Sequence, residues 1–102
     1  MTNPGGRLYG IGVGPGDPEL ITLKALRILR SVPVVAYQSA VDKESIARKI
    51  VSPYLDNSQI EVLFHLPRAL EPENAKSIYD REIQPIADHL AAGRDVVVLC
   101  EG

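Results

Sequence analysis

Hydrophobic and polar positions along this chain of 102 residues change period several times, and each change marks an element. Leu8 to Val13 is a short run of strand type, dense in apolar residues. After the Asp17-Pro18 turn, Leu23, Leu26, Ile28 and Leu29 form an apolar stripe at helical spacing. This predicts a helix from Thr22, a capping residue, to about Ser31; Asp17-Pro18 offers an earlier start, since proline suits the first helical position. Val32 to Tyr37 is apolar without alternation, as in a strand covered on both faces. Ile46 pairs with Ile50 and Ala47 with Val51 in a helix starting at Asp42 or Ser45 and ending at Ser52-Pro53. Ile60 to Leu66 reads as a third strand and Pro67 to Pro72 as a loop. A long helical pattern follows from Glu73 to Ala92, its apolar face formed by Ala75, Ile78, Tyr79, Ile83, Ile86, Ala87 and Leu90. Pro85 lies inside it, which predicts a kink or break within Arg81 to Pro85. Gly93 is a left-handed stop, and Val96 to Cys100 is a fourth strand.

Strands alternating with helices predict an α/β fold: a parallel sheet of about four strands, flanked by helices and joined by right-handed crossovers. Residues 1–7 form a disordered lead-in, and residues 8–102 form the α/β domain. An α/β unit ordinarily continues from a strand into a helix, so a chain ending at Gly102 reads as the amino-terminal part of something longer.

Composition narrows the function. A hydrophobic fraction of 45% and a charged fraction of 24% are those of an ordinary globular domain. The net charge of -2 and the lack of a basic stripe argue against nucleic acid. No apolar run reaches the ~20 residues of a membrane span, and Met1 to Arg7 lacks the core of a signal peptide. A single cysteine forms no internal disulfide and fits the cytoplasm. Two histidines and one cysteine, far apart in sequence, make no metal site.

The candidate chemistry lies in Gly10-Ile11-Gly12-Val13-Gly14-Pro15-Gly16-Asp17. Strand, glycine loop, then helix is a common way to place a ligand at the carboxyl edge of a parallel sheet. Phosphate is a poor fit. Counting Gly-x-Gly-x-x-Gly from Gly10 or Gly12 puts Pro15 or Asp17 at the third glycine, and no Gly-Lys-Ser/Thr follows. Pro15 removes an amide donor, and Asp17 places a carboxylate where the anion would sit. A turn serving geometry alone, or a small nucleotide-binding module, are the other readings of this loop.

Gly12 to Ala25, Gly12-Val-Gly-Pro-Gly-Asp-Pro-Glu-Leu-Ile-Thr-Leu-Lys-Ala25, resembles the opening signature of the tetrapyrrole methylase family, enzymes that use S-adenosylmethionine. Val34 to Tyr37 is similar to the family's second strand, and Leu90 to Gly102 to the approach to its Gly-Asp-Pro motif. The middle segment, from Ser45-Ile46-Ala47 through Pro53-Tyr54-Leu55, looks most like the precorrin-2 C(20)-methyltransferases; a uroporphyrinogen methylase or diphthine synthase is the alternative within the family. The resemblance implies methyl transfer from S-adenosylmethionine to the C(20) meso carbon of precorrin-2 or its cobalt form, in cobalamin biosynthesis, and a homodimer. It further implies that the second, carboxyl-terminal domain and the Asp-Pro of the second motif are missing here, so that these 102 residues alone are inactive.

The resemblance places Pro15, Glu101 and Gly102 against the methyl donor, and Gly14, Gly16 and Asp17 on the wall of the tetrapyrrole cleft. Tyr37 joins them as a substrate contact. Some relatives carry an acidic proton acceptor after this tyrosine; Gln38 stands here and cannot take a proton near neutral pH, so no catalytic residue is assigned. His65 lies at the ligand-binding end of the third strand. The substrate carries many carboxylates, and Arg68 in the following loop is the candidate to meet one. Arg48-Lys49 reads as a solvated helix face, His89 as a solvated residue opposite the core and Cys100 as a small apolar filler.

Overall fold

The computed structural model describes residues 5–14, 16–38, 45–65 and 72–100. Four parallel strands form one sheet: β1 (Leu8–Gly12), β2 (Val34–Gln38), β3 (Ile60–Phe64) and β4 (Val96–Cys100), in the order β1-β4-β2-β3. Three helices connect them: α1 (Leu23–Ser31), α2 (Ile46–Val51) and α3 (Pro72–Ala91). The predicted α/β fold with about four parallel strands is the observed one.

Side-chain alternation along the strands feeds two cores. Ile11, Val35, Val97 and Leu99 face one way and pack with Ala25 and Leu29 of α1 and Ala47, Ile50 and Val51 of α2. Val34, Ala36, Val62, Phe64 and Val96 face the other way and pack with Ile86 of α3. The steps from β1 to β2 and from β2 to β3 run in one direction along the sheet, over the α1–α2 face. The step from β3 back to β4 runs in the opposite direction, over the α3 face. Reversing both direction and face preserves one handedness, as parallel crossovers require.

Local chemistry sets the helix starts. Thr22 Oγ1 accepts from Ala25 N–H at 3.1 Å, and Ser45 Oγ accepts from Arg48 N–H at 3.2 Å. Ser45 is thus the cap of α2, and the alternative start at Asp42 lies outside the described residues. At the opposite end of α1, one side chain closes the helix. Gln59 Nε2 donates to the carbonyls of Leu29 and Val32, both at 2.8 Å, while Gln59 Oε1 accepts from Asp56 N–H at 3.0 Å.

Several expectations change. The helix α3 runs unbroken through Pro85. Proline there leaves the Arg81 carbonyl without its helical partner, but both residues are exposed, so that carbonyl is open to solvent. Along α3, Ile86 is buried and Leu90 half-buried, whereas Ile83 and Ala87 are exposed; the side chains of Ala75, Ile78 and Tyr79 lie outside the description. In α1, Leu23 is 85% exposed because it sits in the first turn, beyond the sheet; Ala25 and Leu29 carry the buried stripe. Strand β2 starts at Val34, after Pro33, and extends to Gln38; β3 stops at Phe64.

Residues 5–7, expected in the lead-in, are tied down. Gly6 N–H donates to the Leu90 carbonyl at 2.8 Å, and Arg7 N–H to Asp95 Oδ1 at 2.7 Å. A Cβ at Gly6 would run into the Arg94 carbonyl. His89 is half-buried, its Nδ1 accepting from Arg94 Nε at 2.9 Å, because Gly93 turns the chain back onto the end of α3. Cys100 is exposed and not a filler. It ends β4 on the α3 face beside Gly12, where no described helix covers the sheet. Among the described residues no helix is long and apolar enough to cross a membrane.

Candidate functional site

Parallel strands bring all their carboxyl ends to one edge. The glycine loop leaves β1 there. Val13 N–H donates to the Cys100 carbonyl at 2.9 Å, which pins the start of the loop to the end of β4. Gly14 has φ +84° and Gly16 φ +143°, conformations that favour glycine. A Cβ at Gly14 would make ordinary contact with the Leu20 backbone at 3.4 Å; one at Gly16 would meet nothing within 4 Å. The loop is therefore packed inward at Gly14 and open outward at Gly16.

Asp17 closes the loop. Its Oδ1 accepts from Glu19 N–H at 2.9 Å and caps a 3-10 turn at Pro18–Leu20. Tyr54 braces that turn from below, its hydroxyl donating to the Pro18 carbonyl at 3.0 Å. The carboxylate thus occupies an amide that a phosphate would need, in line with the argument against phosphate from the sequence.

Tyr37 comes from the end of β2 on the α1–α2 face. Its hydroxyl donates to Glu61 Oε1 at 2.9 Å. Arg48 of α2 grips the same carboxylate through Nε at 2.7 Å and Nη2 at 3.3 Å. Arg48, expected on a solvated face, is instead half-buried: α2 packs over β2, and its first turn faces the edge strand β3. Charge and hydrogen bonding shift all three groups. The Arg48 guanidinium holds the Glu61 carboxyl below its ordinary value, and Glu61 in turn raises Arg48. Burial, followed by the Glu61 hydrogen bond, raises the Tyr37 phenol. The phenol is turned back along the sheet toward Glu61, which pairs in register with Val35 two residues before Tyr37.

His65 follows β3 with its side chain exposed. Its main-chain N–H donates to Glu82 Oε1 of α3 at 2.8 Å. The structure thus places Gly14, Gly16 and Asp17 above β1, and Tyr37 and His65 beside the ends of β2 and β3. Pro15, Arg68, Glu101 and Gly102 lie outside the described residues. Among the described residues no group of histidine, cysteine and carboxylates is set to hold a metal. A polar groove of about 330 Å³ lies at the opposite, amino edge of the sheet, lined by Arg30, Tyr54, Asp56 and Gln59 among others. Two of its polar groups, on Asp56 and Gln59, serve loop hydrogen bonds, and the Tyr54 hydroxyl is spent on the Pro18 carbonyl.

Sequence reasoning passed over Arg48, Glu61 and Glu82. Each is a charged residue on an exposed-looking position, and its partner is fixed by strand order and helix side, which periodicity does not encode. Arg48 carried one usable signal: it is the third residue after a capping serine, on the turn that must face the sheet if Ala47 and Ile50 are buried.

The chain is similar to known proteins over nearly its whole length. It is 44% identical to the cobalamin biosynthesis protein CobIJ of Mycobacterium tuberculosis, over 95% of this chain and 21% of that protein. It is 37% identical to a precorrin-2 C(20)-methyltransferase of a Sinorhizobium species, over 95% of this chain and 43% of that one. The chain thus spans less than half the length of these relatives. Among solved structures, uroporphyrin-III C-methyl transferase from Thermus thermophilus, complexed with S-adenosylhomocysteine, superposes with a TM-score of 0.59 at 31% identity, over 95% of this chain and 33% of that one. Residues 7–102 match the family model for tetrapyrrole (corrin/porphyrin) methylases, and the chain belongs to that family.

Proposed function

We propose that a polypeptide of the relatives' length carrying this segment transfers a methyl group from S-adenosylmethionine to the C(20) meso carbon of precorrin-2 or its cobalt form, in cobalamin biosynthesis. One observation carries the choice within the family. Similarity to the precorrin-2 C(20)-methyltransferase runs over 95% of this chain, whereas similarity to a uroporphyrinogen-III C-methyltransferase of Cyanidium caldarium, 55% identical, covers 37%. The shorter match is a local likeness in sequence, and over the same 95% of this chain the Thermus uroporphyrin-III enzyme is 31% identical, below the 37% of the precorrin-2 enzyme.

The described residues fit the methyl donor in two respects. Space is open outward at Gly16, so a ligand can approach the loop backbone there. The Asp17 carboxylate is held at the loop's end, where it disfavours an anion and not a sulfonium cation. The donor supplies an electrophilic methyl group. What the chain supplies is position: Gly14, Gly16 and Asp17 shape one wall, and Pro15, Glu101 and Gly102 are the donor contacts we assign. Holding two reactants in line contributes several kcal/mol to such a displacement, up to roughly 7–11. We further assign Tyr37, His65 and Arg68 to the tetrapyrrole. The assembly is a cytoplasmic homodimer, and the 102 residues alone lack turnover because they form one wall of the cleft.

The test is incubation of the long polypeptide with carbon-13 methyl-labelled donor and each of precorrin-2, its cobalt form and uroporphyrinogen III. One labelled methyl at C(20) of precorrin-2 or its cobalt form is the expected product. Labelling of uroporphyrinogen III alone overturns the choice, and turnover by the 102 residues alone overturns their inactivity.

A further inference from the structure

The glycine loop leads into the 3-10 turn Pro18–Leu20, and that turn buries none of its three residues. Packing therefore contributes little to holding it. Hydrogen bonds of the 3-10 type are poorly aligned, so a single such turn is weak by itself. Here the bond that ends it, from Ile21 N–H to the Pro18 carbonyl, is long at 3.4 Å. A shorter bond to the same carbonyl, 3.0 Å, comes from the Tyr54 hydroxyl, 36 residues further on.

Tyr54 has the footing of an anchor. It ends the 3-10 turn Ser52–Tyr54 that extends α2, and it packs against the core on the α1–α2 face. Its hydroxyl thus reaches from a packed ring to a largely exposed segment. Asp17 holds the near end of that segment by accepting the Glu19 N–H. On the loop side, the Leu20 carbonyl lies 3.4 Å from where a Gly14 Cβ would stand. The loop backbone therefore rests against the turn, and a turn that shifts takes the loop with it. Glycines accept many backbone conformations, so φ +84° at Gly14 and φ +143° at Gly16 have to be imposed from outside the loop.

We propose that Tyr54 is a positioning residue for the methyl donor: by fixing the Pro18 carbonyl it holds the turn against which the glycine loop rests, and so presets the backbone at Gly14 and Gly16 that the donor meets. The proposal rests on the methyltransferase reading above and adds to it a residue that acts on the donor only through the loop. The gain is entropic. A loop already in its bound conformation loses less freedom when a ligand arrives, so the ligand binds more tightly. Without the hydroxyl the loop samples other conformations, and apparent affinity for the donor falls with the fraction that remains competent. The chemistry of the bound complex stays the same.

The experiment uses the relatives'-length polypeptide with its tetrapyrrole substrate and compares wild type with Tyr54→Phe, which keeps the ring and removes only the hydroxyl. Asp95→Ala is the control: it too removes one hydrogen bond, that from the Arg7 N–H, but at the amino edge. Loss of one neutral hydrogen bond corresponds to about a fivefold change in an equilibrium constant. We expect Tyr54→Phe to raise the KM for S-adenosylmethionine and the Kd for S-adenosylhomocysteine by about that factor, with kcat and the tetrapyrrole KM unchanged. Deuterium should enter the Leu20 and Ile21 amides faster in this variant, because those two N–H groups close the turn. Asp95→Ala should match wild type in every one of these readouts. An unchanged donor KM, an equal rise in both KM values, a donor rise of the same size in Asp95→Ala, or unaltered exchange at Leu20 and Ile21 would each overturn the proposal. A wild type that neither binds S-adenosylhomocysteine nor transfers a methyl group overturns the methyltransferase reading instead, a result distinct from all of these.

Discussion

Above β1 the carboxyl edge is held by main chain, and above β2 and β3 it is held by charged side chains. The glycine loop relies on φ +84° at Gly14, on the Val13-to-Cys100 amide bond and on the Asp17 cap. The other end relies on Arg48, Glu61 and Tyr37, and on Glu82 reaching the His65 backbone. The difference teaches that one sheet edge can be built from parts with opposite sensitivities. Backbone conformation ignores salt and pH but tolerates few residues. Charge pairing tolerates exchange but depends on both.

The largest expected effect lies on the backbone side. Gly14→Ala forces a side chain into a left-handed conformation and costs about 1–3 kcal/mol. Urea unfolding should show this loss undiminished in 1 M salt, since salt screens charges and not sterics; a loss that shrinks with salt would blur the contrast. Thr22→Ala comes next. It removes the cap of α1, just after the loop, at a cost of about 1 kcal/mol, read as a lower urea midpoint. Arg48→Met sits below both. A half-exposed ion pair contributes roughly 0–1 kcal/mol, so thermal melting should show a small drop at low salt that vanishes in 1 M salt. The smallest effect is the pH dependence of that same pair. Glu61 titrates below its ordinary value of 4.5 when folded, so its contribution is complete above that value and disappears as pH falls through the lowered one. A wild-type melting curve minus that of Arg48→Met, followed downward from pH 6, should lose its difference over that interval. A difference that persists at pH 2 would show that Arg48 stabilises by something other than its charge pair with Glu61.

These contrasts also explain what could be read from the sequence. The backbone side was legible because it is local. Gly14, Gly16, Asp17 and Thr22 act on residues within a few positions, so spacing alone betrays their roles. The strands and their parallel pairing were legible for the same reason: short apolar runs flanked by helices leave few alternatives. The charged side was not. Glu61 meets Arg48 across 13 residues and Tyr37 across 24, and Glu82 meets His65 across 17. Those meetings depend on β3 being an edge strand and on α2 and α3 lying on opposite faces. That Pro85 does not break α3 has a related reason. A proline disrupts a helix to the extent that the freed carbonyl is denied water, and exposure is a tertiary property.

One side chain at the amino edge ties these points together. Gln59 fastens the last turn of α1 and the entry to β3 with a single amide, using its nitrogen for two carbonyls and its oxygen for one N–H. That joint lies a full strand length from any residue assigned to the ligand. The sheet is thus hinged shut at one end and free to be rewritten at the other. Exchanges at the carboxyl edge leave that joint untouched. Glu at position 59 would present a carboxylate to two carbonyl oxygens and open the scaffold while leaving every assigned ligand contact in place.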